Sequence, residues 1–484
     1  SAVLKGTTSG NDYVGGFVGY VYSTPVGSVQ TSRDVTITNT TKARVTGSSS
    51  YAVRDGDSIE VGNFGGIAGR ILSSPVKDLS SDLDVYAAGF YTGGIAGYLS
   101  VGGDVHASVV ASAITDIASS GDIYSSSQFT GGLFGRAYGS STLSENWSST
   151  GYVTGGSNYT GGLVGYLQTG EFKDLSYTPV SRVGAELTGN NMTGGIAGQS
   201  NITSMINAIV VADLESTNYS LGGLIGISAG NITTASVTGD VISTNGKTGG
   251  LIGEMQNGII TGATVLGDVT TTRSDKWSEK VGGLIGTGTG TLTDVLFTGD
   301  VSSSFGSYVG GIAGEFTGDV SNARVDGNVS TGGDGTLDVT GRNGSYVGGL
   351  VGQLHGNHTV SDSSAISGII TGYGFVGGLV GAMDGDTSKV LGSYSTQNVV
   401  AASNFVGGLI GLFEGELGDS PSSPLLARGS LHSYATGNVA GRYDVGGLVG
   451  RLLSGGSITN AYASGNVVAD KNYGGIVGYF TPGA

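Results

Sequence analysis

The chain has 484 residues and a formal net charge of −16; 12% of its residues are charged, 94 are Gly, 6 are Pro and none is Cys. Without Cys there is neither a disulfide nor a thiolate metal site, and an acidic chain lacking Lys/Arg clusters is a poor partner for nucleic acid or an anionic membrane. Apolar runs of four or five residues are too short to span a bilayer, so no membrane insertion is expected.

The organising feature starts at Tyr13 with YVGGFVG and is written fifteen times, ending with NYGGIVG at Asn472. The first Gly of each pair falls at Gly15, Gly65, Gly93, Gly131, Gly161, Gly194, Gly222, Gly249, Gly282, Gly310, Gly348, Gly377, Gly407, Gly446 and Gly474. The average spacing of about 33 residues is that of stacked supersecondary units. The segments are rich in Val, Ile, Thr, Tyr and Gly and hold no 3.6-residue stripe, which leaves short strands joined by polar turns. The expected fold is all-β: a single elongated parallel β-solenoid (β-helix) of about 15–16 coils, each roughly 28–38 residues, continuous over 1–484.

In chain order, the interval from Gly15 to Gly65 leaves room for a degenerate coil around residues 35–45. Loop insertions are expected near 101–127, 332–346 and 415–430, as surface loops or ligand sites. Ten N-x-[ST] sequons begin at Asn39, Asn146, Asn158, Asn191, Asn201, Asn218, Asn231, Asn328, Asn343 and Asn357; each is a candidate N-glycosylation site if the chain is secreted. His355 and His358 in HGNH form a candidate metal pair without an acidic or Cys partner in a usual motif, and the other histidines are His106 and His432. The pairs Asp55/Asp57 and Asp384/Asp386 resemble fragments of calcium loops but continue into no EF-hand. Polar loop residues are the expected reading for both sets, and no cofactor is expected.

Within the motif one column is always Leu, Ile or Phe: Phe17, Ile67, Ile95, Leu133, Leu163, Ile196, Leu224, Leu251, Leu284, Ile312, Leu350, Leu379, Leu409, Leu448 and Ile476. It is expected to point into the core. Four residues before it an aromatic recurs in eight copies, for example Tyr308 and Tyr346. With a strand period of two, Gly282, Leu284 and Gly286 share one face. The glycines then either make room in a narrow core for the aliphatic and the aromatic, or supply positive φ at a corner. A looser motif follows several copies as VTGDV, VLGDV, FTGDV, VDGNV, ATGNV and ASGNV. Its Asp240, Asp268, Asp300, Asn328, Asn438 and Asn466 are expected to stack as a turn column. A metal-binding carboxylate ladder is the weaker alternative, because several members are Asn.

VGGLIG at Val281 and TGGLIG at Thr248, each followed by a GDV segment, and VGGLVG at Val445 with its GNV, resemble the GLUG repeat. The resemblance runs from Tyr13 to Tyr479 and is looser where a copy lacks its G[DN]V partner. It implies a β-solenoid of a secreted or surface-attached microbial protein, adhesin-like, without catalytic residues. The expected function is therefore an extracellular structural or adhesive protein, not an enzyme. Its expected partners are further copies of itself, stacked end to end as a filament or an adhesin stalk, and surface glycans or a neighbouring cell surface. The alternative is a polysaccharide-binding or polysaccharide-degrading β-helix protein, marked by a groove of clustered carboxylates with Lys or Arg.

Overall fold

The computed structural model describes residues 7–10, 13–16, 18–22, 44–48, 53–54, 57–58, 62–72, 76–100, 114–138, 143–181, 184–272, 279–305, 307–332, 345–420 and 432–481. Each coil builds three walls. In one example, Lys280–Gly282 forms a strand of the first wall, Gly283 and Leu284 turn a corner, and Ile285–Thr298 forms the long wall. After the turn at Gly299 and Asp300, Val301–Ser303 forms the third wall. One coil on, Tyr308–Gly310, Ala313–Asp326 and Val329–Thr331 pair with these strands in parallel and in register. Among the described strands the one antiparallel pair is Val53–Arg54 with Asp57–Ser58. No helix occurs among the described residues, so none is long and apolar enough to cross a membrane.

The residues cluster into two compact units, Ser1–Gly239 and Asp240–Ala484. The first unit holds seven coils, whose first-wall strands end at Gly15, Gly65, Gly93, Gly131, Gly161, Gly194 and Gly222. The second holds eight, from Gly249 to Gly474. Each unit is a parallel β-solenoid. The degenerate coil expected between Gly15 and Gly65 does not form among the described residues. Tyr13–Gly15 pairs directly with Asn63–Gly65, and Thr7–Gly10 with Arg44–Ser48, which pairs in turn with Asp84–Ala88. Among the described residues the first wall has fifteen strands, within the expected 15–16 coils.

The expected insertions shrink for the same reason. Ile114–Ser119 and Ile123–Ser125 are wall strands inside the first interval, and Glu416–Gly418 is one inside the third. What remains, 101–113, 333–344 and 421–431, lies outside the described residues.

Period-two alternation closes the short walls. In the third wall Val269, Val301 and Val329 are fully buried while Thr270, Ser302 and Ser330 lie outward, half-buried. The buried Thr271 and Ser303 behind them share hydrogen bonds with Glu279, whose Oε2 accepts from both hydroxyls at 2.7 and 2.8 Å. The long wall cannot alternate over its whole length, because both its ends must face inward. Asp294 takes φ +55° and resets the phase, so Leu292 before it and Val295 and Phe297 after it are all buried. Asx side chains tolerate this left-handed conformation better than most. They also stack: Asn146 Nδ2 donates to Asp116 Oδ1 at 2.9 Å, and both residues are left-handed.

Candidate functional site

Two consecutive apolar residues are buried at every regular corner, which a straight strand cannot achieve. Leu284 N and Ile285 N both donate to Ile312 O, at 2.9 and 2.8 Å, so the chain bends there and both side chains enter the core. The same paired donation recurs from Leu133 and Phe134 to Leu163 O, and from Leu350 and Val351 to Leu379 O. From Ile95 to Leu448 each aliphatic of the column is 0% exposed, Ile67 is 7% and Ile476, in the last coil, is 40%. Phe17 lies outside the described residues.

The motif is thus a corner, and Gly282, Leu284 and Gly286 do not share the face of one strand. Its glycines serve backbone approach and not positive φ; none of Gly282, Gly283 and Gly286 is left-handed. A Cβ on Gly283 would lie 2.0 Å from Gly311 O and 2.5 Å from Phe297 Cγ. One on Gly282 would lie 2.0 Å from Ile285 O, and one on Gly286 2.5 Å from Gly253 O. Positive φ belongs instead to the second motif, where Gly239, Gly267, Gly299 and Gly327 have φ from +132° to +150°.

The turn column stacks as a ladder. Asp268 N donates to Asp240 Oδ1, Asp300 N to Asp268 Oδ1 and Asn328 N to Asp300 Oδ1, each at 2.8 Å. Asn466 N likewise donates to Asn438 Oδ1 at 2.9 Å. Each side chain therefore accepts from the main chain of the next coil, which offsets the repulsion expected of stacked carboxylates. The column also includes Asp84, Asp122 and Asn398, whose oxygens accept from Asp122 N, Tyr152 N and Asn438 N. These were missed in the sequence because their turns lack the G[DN]V spelling.

In the second unit the recurrent aromatic does not enter the core. Val309 occupies the inward position of its strand, fully buried, so Tyr308 points outward into the angle between the first wall and the long wall. There the rings stack: Tyr308 on Tyr346 at 5.1 Å, Tyr346 on Phe375 at 4.6 Å and Phe375 on Phe405 at 4.8 Å. In the first unit Phe129 stacks on Tyr159 at 4.6 Å, and Arg136 lies over Phe129, Tyr138 and Tyr166. Arg136 Nη1 donates to Tyr91 Oη at 3.2 Å. The angle between the two walls is thus an outer groove in which aromatic faces meet one another or a guanidinium.

In the second unit the groove opens to about 510 Å³ and becomes charged; its lining includes Lys247, Glu254, Lys280, Glu315 and His355. Lys247 Nζ pairs with Glu254 Oε2 at 2.5 Å. Glu315 is paired with Lys280 and accepts from Thr287 Oγ1 at 3.1 Å and from His355 Nε2 at 3.0 Å. His355 Nδ1 meets Asp384 Oδ2 at 2.6 Å. Burial of Glu315 opposes its ionisation, but the contacts to His355, Lys280 and Thr287 outweigh it and hold the carboxyl down at about 2. The hydrogen bond to Glu315 raises the His355 pKa, burial pulls against it, and Asp384 raises it further.

Other candidate residues fall elsewhere. His355 and His358 do not converge: His358 Nδ1 faces Asp319 Oδ1 at 3.4 Å, while both nitrogens of His355 are taken by carboxylates. Asp384 belongs to the groove cluster and Asp386 is exposed. Asp55, His106, Asn39, Asn343 and the side chain of Asp57 lie outside the described residues. Of the sequons, Asn201, Asn231 and Asn357 are exposed and Asn158 is half-buried. Asn146, Asn191, Asn218 and Asn328 spend Nδ2 on hydrogen bonds to Asp116, Asn158, Asn190 and Asp300. A glycan on any of these four would replace a rung between coils.

Three walls of parallel strands, a corner column and stacked turn and aromatic ladders define a β-solenoid protein. Residues 441–468 match the family model of the GLUG motif. The match covers one complete coil: Tyr443–Gly446, the corner at Gly447 and Leu448, Val449–Leu452, and the strands through Val467–Val468. Gly441 N donates to Val468 O at 3.0 Å, so the two ends of the match lie one turn apart. No curated protein and no solved structure matches the chain.

Proposed function

We propose that the protein is a non-enzymatic structural or adhesive element outside the cell, lengthened by adding coils. The observation that supports this reading is where the polar groups go. Main-chain hydrogen bonds, the Asx ladder and the stacked rings all run from coil to coil, so cohesion is directed along the stack. The coil after Leu452 offers the same surfaces outward: Tyr473 is 66% exposed, Phe480 53% and Ile476 40%. That face fits a further coil of the same kind, from a second copy or from more of the same polypeptide. Negative-stain electron microscopy over a range of protein concentrations tests this. Particles that lengthen with concentration support end-to-end association; particles of one length at every concentration remove it and leave a stalk or a binding module.

A second reading is contact with glycans along the groove of the second unit, favoured by its paired Lys and carboxylate side chains. Such pairs can donate to and accept from sugar hydroxyls together. Calorimetric titration with cellohexaose and with polygalacturonate, followed by chromatography of the sugar, separates the outcomes. Heat of binding without shortened products supports a glycan-binding surface, shortened products indicate an enzyme, and no heat removes the reading.

A further inference from the structure

Lys280, Glu315, His355 and Asp384 stand on four successive coils of the second unit, and their side chains touch in that order. We propose that His355 is a proton-controlled latch that ties these coils together when protonated and releases them when neutral. The geometry carries the argument. An ionised carboxylate can only accept hydrogen bonds, so an imidazole with one on each nitrogen must donate from both and carry both protons. Removing one proton turns a ring lone pair toward a carboxylate oxygen 3.0 or 2.6 Å away, and an attraction becomes a repulsion.

The surrounding groups leave His355 as the hinge of this chain. On the Glu315 side stand Lys280 and Thr287, with the Tyr308 phenol pushed up first by burial and then by Glu315. On the Asp384 side Gly356 N donates to Oδ1 at 2.7 Å, and Tyr346 is raised by burial and by Asp384. Both phenols thus stay neutral in the range where an imidazole titrates. His358 is turned to Asp319, and Lys247 is paired with Glu254 further along the groove.

The sign follows from the folded-state pKa lying above its unfolded value. The contribution is fully present below the ordinary imidazole value of about 6.5 and is lost as pH rises through the higher folded value. Glu315, held at about 2, keeps its charge throughout that window. With His355 protonated, three cations (Lys247, Lys280, His355) meet three carboxylates (Glu254, Glu315, Asp384). Deprotonation leaves the groove with one excess negative charge, so the latch sets the charge of the groove as well as its rigidity.

The chain has four His, so the imidazole Cε1–H resonances of the full chain can be followed individually by NMR. His355 is expected to titrate above the ordinary imidazole range, and Asp384→Asn to bring its midpoint down toward that range. Amide exchange at Val351 and Val380, corrected for its intrinsic pH dependence, is expected to quicken through the same midpoint in the wild type and to lose that step in Asp384→Asn and His355→Gln. A wild-type midpoint in the ordinary range, or an exchange step unchanged in the variants, overturns the proposal. Should His355→Gln fail to fold, Asp384→Asn decides alone, because His355, Glu315 and Lys280 all remain.

Discussion

Leu284→Asp is expected to open the second unit at its corner, lowering stability by at least about 4 kcal/mol. Leu284 is 0% exposed, and its N–H, with that of Ile285, is bonded to Ile312 O of the next coil. The substitution removes a buried aliphatic and places a carboxylate where the surroundings are side chains of the same apolar column. Because each coil rests on its neighbours, protection should be lost first around Leu251 and Ile312. Urea unfolding of the variant beside Thr298→Asn, at the exposed end of the wall strand that follows the corner, measures the difference. The control should lie within about 0.5 kcal/mol of wild type; equal midpoints for the two variants would sink the inward column. Thr287→Asp is no neutral control, since Thr287 donates to Glu315 and a new carboxylate there would face an existing one.

Gly283→Ala should cost about 3 kcal/mol, near the upper end of overpacking effects, for the addition of a single methyl. The new Cβ would sit 2.0 Å from Gly311 O, a main-chain atom held in the stacked corner, so no side-chain rotation relieves the clash. Gly332→Ala provides the contrast. It is exposed, its φ is not left-handed and its nearest neighbour would be 3.5 Å away. There the loss of unfolded-state freedom should make Ala neutral or stabilising by about 0.4–1 kcal/mol. Matching urea midpoints for the two variants would mean the corner can spread, and the glycine pair would then need another explanation.

Much of the fold was legible because a solenoid repeats its grammar. The spacing from Gly249 to Gly282 to Gly310 already counts coils, and Val/Ile/Thr-rich runs between Gly-Asx turns already imply strands. The corner was not legible, because GGLIG read as a strand obeys the same alternation that a bend interrupts. Only the convergence of Leu284 N and Ile285 N on one carbonyl separates the two. The aromatic column misled for a related reason. Tyr308 has the β-propensity of a core residue, but its neighbour Val309 takes the inward position, and one register step moves every side chain across the wall.

The groove was the least legible part. Lys280, Glu315, His355 and Asp384 are separated by 35, 40 and 29 residues and belong to no motif. HGNH drew attention to His355 as a partner of His358, the residue it does not contact in any metal-like arrangement. The period, the strand class, the inward aliphatic column and the Asx turns could be read without coordinates, because those follow from local propensity repeated at fixed spacing. Tertiary structure alone decided which face each column took, why the corner needs glycine, and which charges met across coils. Those depend on stacking distance and register, and a one-dimensional pattern carries neither.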